Sequence, residues 1–134
     1  MRRLTLLALV AVAGCGGGTG VDRAALVARA DRICQNAAVP GIPVRVGTNL
    51  QARLAQLALG QERRELAQLR ALEWGELDTG LDVFAAALEH LDAFVRARAR
   101  APRERVLYGS LLDRWRARAR SAGLELCAQF GFSY

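Results

Sequence analysis

Four side chains in this chain of 134 residues offer chemistry beyond plain charge: Cys15, Cys34, Cys127 and His90. A metal site needs at least one close ligand pair such as Cys-x-x-Cys, and the spacing of Cys34, His90 and Cys127 provides none. His90 directly follows Glu89, so the Glu-x-x-His spacing of di-iron helical bundles is missing. Ser110, Ser121 and Ser133 have neither a Gly-x-Ser-x-Gly setting nor a base nearby in sequence. Gly16-Gly17-Gly18 is not followed by a helix-opening lysine, so it does not read as a phosphate loop. These residues point away from an enzyme, no cofactor or metal is expected, and His90 is expected at a surface or boundary.

Charge is the uneven feature. The 19 basic residues are all arginine, against 13 acids, for a net charge of +6. From Ala71 to Val95 there are acids and no arginine: Glu73, Glu76, Asp78, Asp82, Glu89 and Asp92. From Arg96 to Arg120 arginine dominates, opposed only by Glu104 and Asp113. In the repeated run RARAR (Arg96 to Arg100, Arg116 to Arg120) the alternate spacing spreads charge over about 200° of a helix. One reading is a solvated surface, with an arginine bias typical of a GC-rich genome. The other is an anion-attracting patch made of Arg96, Arg98, Arg100, Arg103 and Arg105, suited to an anionic wall polymer, an acidic protein or lipid headgroups. No nucleic acid is expected as a partner.

The front of the chain indicates where it works. Met1-Arg2-Arg3 is basic, and Leu4 to Ala13 is an apolar core that ends in small residues, the layout of a secretory signal. Ten residues cover only about 15 Å as a helix, half of a ~30 Å hydrocarbon core, so this segment is too short to span a membrane stably. Val12-Ala13-Gly14-Cys15 resembles the lipobox of bacterial lipoproteins. The resemblance implies cleavage between Gly14 and Cys15, a diacylglycerol thioether on Cys15, and room for acylation (a palmitate, for instance) of the new amino group. Two or more chains anchor stably where one is marginal. Gly16 to Gly20 then forms a tether of only ~12 Å, so the domain stays close to the bilayer. Ordinary secretion and an uncleaved anchor are the alternatives; Arg2-Arg3 lacks the flanking residues of a twin-arginine signal. The expected organisation is a signal peptide over 1–14, a lipidated cysteine and tether over 15–21, and a domain over 22–134, held at the extracytoplasmic face of the cell membrane.

Export places Cys34 and Cys127 in an oxidising compartment, where an even pair in a small domain most often forms a disulfide. Such a bond closes a loop of about 90 residues and contributes up to about 4.5 kcal/mol.

The rest of the sequence has helical period. Leu26, Ala30, Ile33 and Ala37 line one face of a first helix over Asp22 to Ala38, with Asp22 as its N-cap. Val39 to Gly47 holds two prolines and two glycines and reads as a connector. Thr48 or Asn49 caps a second helix that runs to about Glu73. Its stripe of Leu50, Leu54 and Leu57 shifts at Gly60 to Leu59, Leu66, Leu69 and Leu72, which predicts a local kink or register adjustment. Trp74 to Gly80 is a turn. Leu81, Phe84, Leu88, Leu91 and Val95 mark a third helix to about Arg100. Pro102 opens a fourth, with Leu107 or Tyr108, Leu111, Trp115 and Ala119 inward and Gly123 as its stop. A tail from Leu124 to Tyr134 carries Cys127, Phe130, Phe132 and Tyr134. In a plain up-and-down order Cys34 lies about 18 Å along the first helix, so this tail has to turn back in extended form to reach it. The expected fold is all-α: an up-and-down antiparallel bundle of about four helices, stapled by the disulfide.

The segments ARADRICQNA (Ala28 to Ala37) and AGLELCAQFG (Ala122 to Gly131) resemble the two ends of a loosely defined group of small exported proteins from GC-rich Gram-positive bacteria. In that group an Ala-Asp-x-Ile-Cys helix is matched by a late Gly-Leu-x-x-Cys. The resemblance implies a helical bundle with Cys34 joined to Cys127 and brings no catalytic residues. The expected role is a binding or scaffolding module in the cell envelope, with the membrane, an envelope protein or an anionic wall polymer as partner. A small envelope enzyme, or an accessory subunit of one, is the rival class; a polar cluster inside the bundle favours it and a wholly apolar interior opposes it.

Overall fold

The computed structural model describes residues 22–37, 49–98 and 100–129, and over these the chain is all-helical. The expected signal peptide, Cys15 and the expected tether, the connector after Ala38, the expected Thr48 cap and the aromatic residues from Phe130 onward lie outside the described residues. Five helices follow in order: α1 (Arg23–Ala37), α2 (Asn49–Arg70), α3 (Leu81–Arg96), α4 (Pro102–Ser121) and a short α5 (Glu125–Gln129).

Local chemistry accounts for most of the boundaries. Asp22 caps α1, its Oδ1 accepting the N–H groups of Ala24 and Ala25 at 3.1 and 3.4 Å. α2 stops at Arg70, three residues before the expected Glu73, because the Trp74 indole turns back and donates to the Leu69 carbonyl at 2.7 Å. Gly80, at φ 67°, opens α3, and its N–H is held by Asp78 Oδ1 at 3.0 Å. α3 ends at Arg96, short of the expected Arg100, since Arg98 adopts φ 48° and leaves the helix. Pro102 takes the first position of α4, where its missing N–H is harmless. At the other end Gly123 (φ 86°) donates to the Arg120 carbonyl and Leu124 to that of Ala119, the paired bonds of a Schellman stop.

α2, α3 and α4 form an antiparallel meander. Arg63 of α2 reaches Asp92 of α3 at 3.2 Å, and Phe84 of α3 stacks on Trp115 of α4 with ring centroids 4.1 Å apart. α3 packs between α2 and α4, while α1 packs on α2 and α5, and α5 on α4. Phe84, Leu88 and Leu91 of α3, Leu59 and Leu69 of α2, Trp115 of α4 and Leu124 form the centre of the core.

Three expectations change. α2 is unbroken through Gly60, and its buried stripe is Ala55, Ala58, Leu59, Glu62, Glu65, Leu66 and Leu69. Leu57 is 70% exposed. The stripe holds alanine at 55 and 58 and glutamate at 62 and 65, so the leucines alone do not trace it. On α4, Leu112 is buried where Leu111 was expected, and Leu111 packs at the edge. Finally, the tail beyond Gly123 is helical over Glu125–Gln129. Its first turn is capped from another helix, with Asp31 Oδ1 of α1 accepting from the N–H groups of Leu126 and Cys127 at 3.2 and 3.4 Å.

The disulfide joins Cys34 and Cys127 as expected, with Cα atoms 5.0 Å apart and both residues fully buried. The two segments whose motifs stood out in the sequence therefore meet in one place. Asp31 orients α5 and Cys34 fastens it. Because α5 follows directly on α4, whose Arg118 packs against Gly80, Cys34 lies at the end of the bundle where α2 turns into α3. A plain up-and-down order places it at the opposite end.

Candidate functional site

Four of the described arginines are matched with carboxylates. Arg63 approaches Asp92 and Glu89 at 3.2 and 3.8 Å, and Arg96 reaches Asp92 at 2.8 Å. Arg118 lies 3.7 Å from both Asp78 and Asp82, and Arg116 lies 3.5 Å from Asp113. Of the five residues expected to bind anions, Arg96 is thus committed to Asp92, and Arg105, though exposed, is not free. Arg98, Arg100 and Arg103 are exposed around the turn from α3 into α4 and form no ion pair with a described residue. The antiparallel pairing brings the start of α2 beside this turn. It adds Arg53, which sequence reasoning missed, and which is exposed and likewise without an ion pair among the described residues.

Here lies a groove of about 850 Å³, lined by Asn49, Ala52, Arg53, Gln56 and Leu57 along one face of α2 and by Arg98 from the turn. Two helix N-termini, those of α2 and α4, point their positive ends the same way, and α2 has no acidic residue in its first turn to offset the field. Arg98 is also the one described residue other than glycine with positive φ. It follows the C-cap Ala97, the position where helices most often place glycine. A side chain in that conformation costs about 1–2 kcal/mol. The chain holds an arginine where a glycine would be more stable.

A second polar cluster lies inside the bundle, where no apolar-pattern reading would place it. Glu62 and Glu65, one turn apart on α2, are only 7% and 4% exposed. Their carboxyls are hydrogen-bonded to each other. Burial pushes Glu62 up to about 7, opposed by the hydrogen bond from Glu65 and by the charge of Arg116. Burial, then the Glu62 charge and the shared bond, push Glu65 up to about 9. Near neutral pH Glu65 therefore keeps its proton and donates it to Glu62, a pair that titrates as one unit. On α4, Trp115 Nε1 and Arg116 Nε are buried without a hydrogen-bond partner. The bundle interior is therefore not wholly apolar.

His90 is half-buried at the α3–α4 boundary, its Nδ1 2.6 Å from Glu104 Oε2. Cys34 and Cys127 are consumed by the disulfide, which closes the metal alternative for that pair. Among the described residues no group of three or more His, Cys, Asp or Glu side chains is placed to hold a metal ion, and no helix is long and apolar enough to cross a membrane. Comparison with protein-family models, with curated proteins and with solved structures finds no match.

Proposed function

We propose that this protein is a lipid-anchored binding module of the cell envelope, held by Cys15 at the extracytoplasmic face of the cell membrane, and that the end of the bundle around the α3–α4 turn is its binding surface for an anionic envelope component. One observation carries the surface: Arg53, Arg98, Arg100 and Arg103, all exposed and without an ion pair to a described residue, gather at the end of the bundle that holds the groove. The anchor rests on Val12-Ala13-Gly14-Cys15 and on its position after a basic start and an apolar core. A tether of ~12 Å keeps the domain close to the bilayer.

Two measurements test the two halves. Cys15→Ser should release the protein from membranes or leave its precursor uncleaved; unchanged processing and detergent partitioning would remove the anchor. The mature chain should bind a wall polyanion at low salt and lose it at roughly 0.3 M salt, where screening is strong. Changing Arg53, Arg98, Arg100 and Arg103 together to Gln should abolish that binding; binding left intact excludes this end.

The Glu62–Glu65 pair is the observation that favours the rival class, an envelope enzyme, with the two carboxyls as an acid–base couple. Both are buried, so a substrate reaches them only if α2 separates from its neighbours. Hydrolytic activity lost in Glu65→Gln with the fold intact would support that class over the binding module.

A further inference from the structure

The groove beside the basic end has more than charge in it. Its wall on α2 is the stripe Asn49, Ala52, Arg53, Gln56 and Leu57, spaced so that all five residues share one helix face. Leu57 stands 70% exposed on that face with no described neighbour covering it. Arg53 and Arg98 also line the groove, and arginine stems add apolar surface while their charged heads stay hydrated. A volume of about 850 Å³ falls in the range of sites for small ligands, about 300–1,000 Å³.

A wall polymer made only of charged and hydroxylated units has no use for Leu57. A recess between a helix face and a turn suits a single molecule better than the flat surface of a bilayer. From these features we infer that the groove holds one amphipathic anion, a phosphate head carrying an aliphatic chain, taken up as a monomer. The head lies between Arg53 and Arg98, whose planar forks match phosphate oxygens in pairs. The carboxamides of Asn49 and Gln56 offer further donors, and the chain lies along Ala52 and Leu57. The strained backbone of Arg98 fits this assignment, since strain in a non-glycine residue is kept where its side chain is needed. The inference rests on the proposed binding role of this end and narrows it to one ligand class.

The test uses the mature chain, 15–134, with Cys15→Ser so that no anchor binds amphiphile. Dodecyl phosphate below its micelle concentration and inorganic phosphate are titrated by calorimetry. One dodecyl phosphate should bind per chain, at least tenfold more tightly than phosphate. Leu57→Gln, at an exposed position that leaves folding unchanged, should reduce this advantage several-fold. Arg98→Gly should raise the melting temperature and weaken dodecyl phosphate at least tenfold, a combination that a purely structural arginine does not give. Equal affinity for the two probes, or an unaltered affinity in Leu57→Gln, overturns the inference. If that happens while the wall polyanion still binds in an arginine-dependent way, the broader reading of the basic end stands; loss of both removes it as well. Binding confined to anionic vesicles, with none to the monomer, also overturns the groove assignment.

Discussion

The two ends of the bundle solve the same problem, turning one helix into the next, in opposite ways. At the end where α2 passes into α3, each left-handed position is a glycine: Gly75, Gly80 and, nearby after α4, Gly123. Arg118 lies between Asp78 and Asp82 there. Asp31 caps α5, and the disulfide locks it in place. At the end where α3 passes into α4, the left-handed position is Arg98, and Arg53, Arg100 and Arg103 form no ion pair with a described residue. One end has its backbone strain relieved by glycine, and the other keeps it. That difference teaches where to look for function, because stability is conceded where a site needs it.

The largest effect should come from the relieved end. Replacing Cys34 and Cys127 together by Ser opens a covalent loop with a sequence separation of 93 and should lower stability by up to about 4.5 kcal/mol. Denaturant titration of the variant against the oxidised parent measures it. Because both sulfurs are fully buried, thiol labelling of the native protein under mild reductant should be negligible until the chain unfolds. A loss below ~1 kcal/mol would mean that this end is not stapled in any energetic sense.

The carboxyl pair between the ends supplies the next effect, and its sign is opposite to that of a paired carboxylate. Glu62 and Glu65 hold protons up to about 7 and about 9 in the folded chain and to 4.5 without the fold. The folded state thus binds more protons between these values. Their contribution is fully present below about pH 4.5 and is lost as pH rises through 7 and 9. Melting temperature should fall from pH 5 to pH 9. Glu65→Gln should flatten that slope and raise stability at pH 8, by on the order of 2 kcal/mol. A parent whose stability is level over this range would show that the pair is solvated.

Two single substitutions then compare the turns directly. Gly80→Ala would set a Cβ 2.9 Å from the Arg118 side chain at φ 67°, so it should cost about 2 kcal/mol or more. Arg98→Gly, at the matching left-handed position, should instead stabilise by about 1 kcal/mol. Thermal melts of the two variants should move in opposite directions; movement in the same direction would erase the contrast between the ends. Smallest is Asp31→Ala, which removes the borrowed cap of α5 and should cost about 1 kcal/mol.

Much of this architecture was legible in the order of residues, because the interactions concerned are local. Asp22 before an alanine-rich run, Pro102 at a helix start, Gly123 at a stop and the three-four spacing of Leu81, Phe84, Leu88 and Leu91 each act within a turn or two of chain. The cysteine pair was legible from its even count and the export that the front of the chain leads one to expect. What contacts between distant segments decided was of another kind. Glu62 and Glu65 belong to the core stripe of α2, but a carboxyl reads as solvent-facing until a partner shares its proton in a dry interior. Leu57 reads as core by composition, and it is exposed because the neighbouring helices cover the opposite face. α5 is too short to hold together by its own hydrogen bonds; it forms where Asp31 and Cys34, more than 90 residues earlier, supply the cap and the bond. The basic end belongs to this second group. Local sequence put Arg98, Arg100 and Arg103 on one turn, but only the antiparallel return of the chain laid Arg53 and Leu57 beside them, because the free energy that sets helix against helix is buried area, which no single segment contains.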